Sequence, residues 1–285
     1  MGGSGLYDMD GLTDREEVEL RTPFGAPSDA IVLGALGETR VAFLPRHGRG
    51  HVLSPSRIPV RANIYALKSL GVERIVSISA VGSLKEEVRP LDLVVPDQLM
   101  DRTYARDATF FDDGIVGHVA FAQPFCPDLS REVAAAAERQ GVTTHVGGAC
   151  VVIEGPQFST RAESELYRSW GGSIVGMTAL PEAKLAREAE ICYATMAFVT
   201  DYDCWHDDEE SVSVDLIVAN LNRNVATAQA VIGEVVAHQG IDRECACSEA
   251  LKGAIITSPE RITEEVRQRL SLIVGEYLSV AREVV

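Results

Sequence analysis

Seven short runs rich in apolar and β-branched residues punctuate this chain: DAIVLGAL, RVAFLP, RIVSISAVG, LDLVVPD, ACVVIEG, SIVGM and ICYATMAFVTDYD. Several are nearly continuous in apolar character rather than alternating, as in strands buried on both faces. Between them lie stretches with helical spacing: Ile58 to Leu70, Leu129 to Gln140, Thr160 to Trp170 and Pro181 to Glu188. Such alternation predicts an α/β sandwich, with a central mixed β-sheet flanked by helices. Two longer helical patterns follow, around Val212 to His238 and Pro259 to Val285, separated by the polar stretch QGIDRECACSEALKG, which reads as a loop. No internal repeat or interdomain linker interrupts the pattern. One domain over residues 1–285 is expected, with a helical C-terminal segment from about residue 240.

Hydrophobic residues make up 46 % of the 285, enough for a large core. A net charge of −16 argues against a nucleic-acid partner, which wants clustered Lys and Arg. It leaves room for a small anionic substrate, which needs only one local positive site. No apolar run of about 18 residues predicts a membrane span, and no secretory leader pattern opens the chain. The six cysteines (Cys126, Cys150, Cys192, Cys204, Cys245 and Cys247) are scattered through a chain too large to need staples. They read as thiols of a reducing compartment, with the cytoplasm as the expected location. Cys245 and Cys247 are expected to be a free, exposed pair.

Five stretches could carry chemistry. The glycine-rich Gly2-Gly3-Ser4-Gly5 is either a flexible tail or cloning remnant, or a loop whose amides wrap a phosphate. In LPRHGRGH, Arg46 and His47 sit where a strand hands over to a loop, the place where open α/β sheets bind ligands. A guanidinium there suits an oxyanion, although a basic turn paired with surface acids fits as well. VSISAVGSL brings Ser79, Ala80 and Gly82 to a strand end, as turn residues or as anion ligands. In VVIEGPQFSTRAESELYRSWG, Thr160 and Glu163 have the spacing of a capping box, and Phe158 offers a ring either to a purine or to the core. VTDYDCWHDDEESVSVD places Asp201 and Asp203 on one strand face after an apolar run, where a carboxyl tends towards a raised pKa. Asp207, Asp208, Glu209 and Glu210 read as a solvated acidic run, and these acids lack a matching histidine pattern, so no metal site is expected.

In order, GGSG, FLPRHGRGH, PVRANIYALKSLG, SAVGS, EGPQFSTRAES, GMT and VTDYDCW resemble the methylthioadenosine phosphorylase branch of the purine nucleoside phosphorylase family, from residue 1 to about residue 235. The resemblance implies phosphorolysis of S-methyl-5'-thioadenosine to adenine and 5-methylthioribose 1-phosphate. Inorganic phosphate is then the cosubstrate, with no metal or organic cofactor. It implies that Ser4, Arg46, His47, Ser79, Ala80 and Thr178 bind phosphate and that Met177 packs under the ribose. Phe158 would lie against adenine, with Ser159, Asp201 and Asp203 at its edge and Asp201 as general acid. Val214, Ile217 and Val218 would line the methylthio pocket, with His118 lent by a neighbouring subunit. The expected assembly is a homotrimer, or a hexamer formed as a dimer of trimers. Family members carry a strand ahead of the glycine-rich loop, so a shortened start is expected here.

Adenosine shares the base and is an expected second substrate. The rival 6-oxopurine branch places Glu where Ser159 stands and Asn where Asp201 stands. A 6-amino group donates and a 6-keto group accepts, so Ser159 and Asp201 favour adenine. A non-catalytic nucleoside sensor on the same fold is the other alternative. A dinucleotide-binding domain fits poorly, since the glycine pattern lacks its downstream acid.

Overall fold

A computed structural model describes residues 1–2, 6, 9–206, 214–238 and 243–280. Ser4 and the acidic run 207–210 lie outside the described residues. In chain order the elements are β1 (Leu12–Val18), β2 (Ile31–Leu36), β3 (Thr39–Phe43), α1 (Val60–Ser69), β4 (Arg74–Ser83), β5 (Leu93–Val95) and β6 (Gln98–Arg102). Then come α2 (Pro127–Arg139), β7 (Thr144–Val146), β8 (Ala149–Ile153), α3 (Arg161–Ser169), β9 (Gly172–Gly176), α4 (Ala179–Glu188), β10 (Cys192–Tyr202), α5 (Val214–Ala237), α6 (Glu264–Arg269) and α7 (Ser271–Val280).

The central sheet has seven strands in the order β6-β8-β9-β4-β10-β5-β7. It is mixed: β10 runs parallel to β4 and antiparallel to β5. The interior strand β10, between β4 and β5, explains the long apolar run, because residues 192–201 are buried on both faces. Tyr193, Ala197 and Val199 join the core under α1, α4 and α7, while Ala194, Met196 and Phe198 join the core under α2 and α5. A strand covered on both faces is mostly apolar at both parities.

Three strands escape the sequence pattern. β1 is mostly exposed and charged (LTDREEV), and β7 is three residues long. β6 alternates too weakly to announce itself, with neither end buried. β1, β2 and β3 form a separate antiparallel sheet. Met1 and Gly2 stitch this sheet to the central one. Ile78 N–H donates to Met1 O (2.9 Å), Gly2 N–H donates to Leu44 O (3.2 Å), and Arg46 N–H donates to Gly2 O (2.9 Å). The start of the glycine-rich stretch is therefore clamped between two strand ends rather than trailing.

The helical pattern from Pro259 is not one helix. It breaks at Leu270 (φ −106°), between α6 and α7. Cys245 and Cys247 are not an exposed pair either: Cys247 is 4 % exposed and Cys245 is half-buried. Among the described residues, no helix is long and apolar enough to cross a membrane.

Candidate active site

Two groups of side chains gather where β3, β4 and β10 end. In the first, β3 runs into Pro45 and delivers Arg46 and His47. Arg46 is buried at 2 % exposure. Its Nε and Nη2 both face the Glu182 carboxylate on α4 (Nη2 to Oε2, 3.0 Å). Nη1 donates to Ile78 O at 2.9 Å and Nη2 to Ser77 Oγ at 2.6 Å. Burial opposes its charge, but Glu182 beside it holds the guanidinium still more firmly protonated. The expected fork towards phosphate is thus turned inward, because an ion this buried needs a counter-ion within the fold. What Arg46 does is lock β3's end to β4 beside Ser79.

His47 follows, half-buried, with Nδ1 2.8 Å from Leu53 O. A carbonyl only accepts, so Nδ1 carries the proton and Nε2 keeps its lone pair. Burial, helped by the charge of Arg46, lowers its pKa to about 4, so the ring is neutral at physiological pH. It stacks on His51 (centroids 4.1 Å apart), which is held at φ +56° by the tight loop through Gly48 at φ +70°. From β4, Ser79 Oγ meets Thr178 Oγ1 at 3.0 Å. Ala80 is exposed although it lies within the central strand, which marks open space above the sheet.

The second group forms two residues further along β4. An atom added at the Gly82 Cβ position would lie 3.4 Å from Asp201 Oδ2 and 3.4 Å from Asp203 Cβ, so the two acids flank this glycine. A β-bulge between Val199 and Asp201 makes this possible. Thr200 leaves the ladder: its hydroxyl donates to Asp201 Oδ1 (2.6 Å) and its carbonyl accepts from Asn220 Nδ2 on α5 (2.6 Å). Both acids are 5 % exposed. Burial pushes the Asp203 carboxyl above its ordinary range. Asp203 Oδ2 and Ser159 Oγ are buried with no hydrogen-bond partner among the described residues. Cys204 Sγ reaches Ser159 O at 3.2 Å, which ties the segment ahead of α3 to the end of β10. The capping box forms as expected, with Glu163 Oε2 accepting from Thr160 N–H at 2.8 Å. Phe158 stands half exposed beside this group.

Met177 directly precedes Thr178, its sulfur against Gly155, where an added Cβ would come within 2.5 Å of it. Gly155 sits at φ +65°, and a side chain there would be both strained and obstructed. Arg106, which carries no sequence signal, gathers this corner. It donates to Met177 O (2.6 Å), Leu180 O (2.6 Å) and Glu154 O (2.6 Å). Sequence reasoning also missed Glu182 and Asn220. The latter had a trace, asparagines one turn apart (Asn220 and Asn224) on a helix whose flanking turns are largely apolar.

Val214, Ile217 and Val218 belong to the first turns of α5, with Ile217 one turn ahead of Asn220; their side chains lie outside the description. His118 stands apart from both groups. It is exposed, on a segment whose backbone N–H donates to Ala254 O at 2.9 Å. A cavity of about 680 Å³ lies between β3, α1, β4 and α5 and is lined by none of the predicted site residues.

The sequence profile described as the phosphorylase superfamily matches residues 1–237. An S-methyl-5'-thioadenosine phosphorylase of Geobacter sulfurreducens is 54 % identical, covering 98 % of each chain. One of Koribacter versatilis is 56 % identical, covering 97 % of this chain and 95 % of its own. A crystal structure of a methylthioadenosine phosphorylase from an Antarctic soil metagenomic library is 50 % identical with a TM-score of 0.91, covering 95 % of this chain and 96 % of that one. The Schistosoma mansoni methylthioadenosine phosphorylase in complex with tubercidin is 36 % identical, with a TM-score of 0.80 over 88 % of this chain and 94 % of that one. The chain belongs to the phosphorylase superfamily. Within it, its family is that of the S-methyl-5'-thioadenosine phosphorylases.

Proposed function

We propose that the chain catalyses phosphorolysis of S-methyl-5'-thioadenosine, giving adenine and 5-methylthioribose 1-phosphate, and that adenosine is a second substrate. One observation carries the reading. The hydroxyl-lined anion corner at Ser79 and Ala80 and the buried carboxylates at Gly82 lie two residues apart on β4, about 7 Å at strand rise. A ribose fits that interval, with phosphate on one side of C1′ and a purine on the other. Cleaving the C1′–N9 bond leaves positive charge on the sugar and negative charge on the base. Phosphate held by Ser4, the loop amides, Ser79, Ala80 and Thr178 offsets the first and attacks C1′. His47 Nε2, which keeps its lone pair, takes a proton from a phosphate oxygen or accepts a hydrogen bond from it. Asp201 protonates purine N7 as the bond breaks. Ser159 Oγ and Asp203 Oδ2, partnerless and buried, meet the exocyclic amine, since a buried polar atom without a partner costs about 1–3 kcal/mol until a ligand supplies one. Phe158 covers the base, Met177 the ribose, and Val214, Ile217 and Val218 the methylthio group.

In this reading the working assembly is a homotrimer in the cytoplasm, with His118 closing a neighbour's pocket and no cofactor beyond the phosphate cosubstrate. The test is adenine release from methylthioadenosine, adenosine and inosine, with and without phosphate. Phosphate-dependent release from the first two is expected. Preference for inosine, release that ignores phosphate, or no release at all would each overturn the proposal.

A further inference from the structure

Four of the six thiols point at one centre. Cys126, Cys192, Cys245 and Cys247 bring their sulfurs within 4.8 Å of one another, and the pair Cys192 and Cys245 is 3.3 Å apart. We propose that this cluster is a structural Zn²⁺ site that fastens the segment after α5 to the start of β10 in the central sheet.

The ligands come from three places. Cys126 precedes α2 and caps it, and its backbone N–H donates to Tyr193 O at 2.8 Å, which sets it beside the start of β10. Cys192 is the first residue of β10. Cys245 and Cys247 flank Ala246 where a short 3₁₀ turn begins. Contacts independent of sulfur hold that turn in place. Arg243 donates to Glu190 O (2.7 Å), Leu251 N–H donates to Glu190 Oε1 (3.0 Å), and Tyr277 Oη donates to the same oxygen (2.5 Å). The thiols are therefore presented by a framework that positions them in advance.

Tetrahedral zinc with Zn–S bonds of about 2.3 Å puts its sulfurs about 3.8 Å apart. The observed cluster, closer for one pair and within 4.8 Å for the others, reaches that geometry through side-chain movements of under about 1 Å. Packing by size alone gives no reason for four thiols from distant segments to converge. Binding is balanced as one Zn²⁺ displacing four thiol protons to solvent, leaving a centre of net charge −2. The Arg243 guanidinium beside Cys192 offsets part of that charge. Cys192 and Asp201 stand at opposite ends of β10, about 30 Å apart at strand rise, so the ion is structural and distant from the base site. Half-buried Cys245 leaves a path for its entry.

The experiment is elemental analysis of untagged protein grown in zinc-supplemented medium, together with a count of reactive thiols after denaturation in chelator. One zinc per chain and six thiols are expected, with Zn–S scattering at about 2.3 Å in X-ray absorption. Cys247→Ser should lose zinc, whereas Cys150→Ala, altered at a buried thiol outside the cluster, should keep it. Should Cys247→Ser not fold, the parent still decides, because prolonged chelation should remove its zinc and lower its Tm. Two thiols and no zinc, meaning two disulfides, would overturn the site. So would six thiols with no zinc, or a different metal in stoichiometric amount.

Discussion

Asp201 owes its place to Thr200, which drops out of the ladder and gives its hydroxyl to the carboxylate. An amide at 201 keeps the size but cannot deliver a proton to purine N7. Asp201→Asn should lower kcat on methylthioadenosine by about 10²–10⁴-fold, the usual share of a general acid. Near-parental turnover in the folded variant would remove Asp201 from the proton transfer. Arg46 makes a different point. Its guanidinium is spent on Glu182, which also accepts from Tyr193 Oη at 2.8 Å. Arg46→Ala leaves a buried carboxylate without its counter-charge, so stability should fall by about 3–5 kcal/mol in denaturant titration. Adding Glu182→Gln should recover part of that loss. A variant as stable as the parent, with only its phosphate KM raised, would return the fork to phosphate.

At the scale of elements, β10 and α5 build the proposed base site together, joined by the bond from Asn220 to Thr200 O. The apolar run of β10 was legible because a strand buried on both faces is mostly apolar at both parities. The bulge was not legible, since it depends on pairing with β4. The helical spacing of Val214, Ile217 and Val218 places them on one face, but spacing cannot say whether that face meets ligand or core. A polar residue there should cost the methylthio group apolar contact worth about 1–3 kcal/mol while offering the 5′-hydroxyl of adenosine a partner. Val214→Gln should therefore shift kcat/KM towards adenosine by roughly tenfold or more. An unchanged ratio between the two nucleosides would make Val214 core filler.

Across the whole molecule, Glu188 at the end of α4 holds the excursion between β6 and α2, accepting from Thr109 Oγ1 (2.7 Å) and Phe110 N–H (2.6 Å). Burial pushes its carboxyl from 4.5 to about 7. The folded chain thus keeps a proton that the unfolded chain releases between those values. This contribution is complete below about pH 4.5 and is lost as pH rises through about 7. His47 has the opposite sign: lowered from 6.5 to about 4, it contributes above about 6.5 and is lost as pH falls. Since His47 titrates in both proteins, it cancels from the comparison of Glu188→Gln with the parent. The Tm difference should move in the variant's favour by several degrees between pH 5 and pH 8, and a flat difference would show that Glu188 does not titrate there. The sequence by itself determined the alternation of strands and helices, the Thr160–Glu163 cap and the chain positions of the motifs, because these depend on local propensity and on which faces are buried. Tertiary structure alone decided that Arg46 faces Glu182, that Thr200 bulges, that Arg106 gathers four carbonyls and that four thiols share one centre. Each of these needs partners remote along the chain, and a residue's own neighbours carry no record of which distant side chain folding will bring beside it.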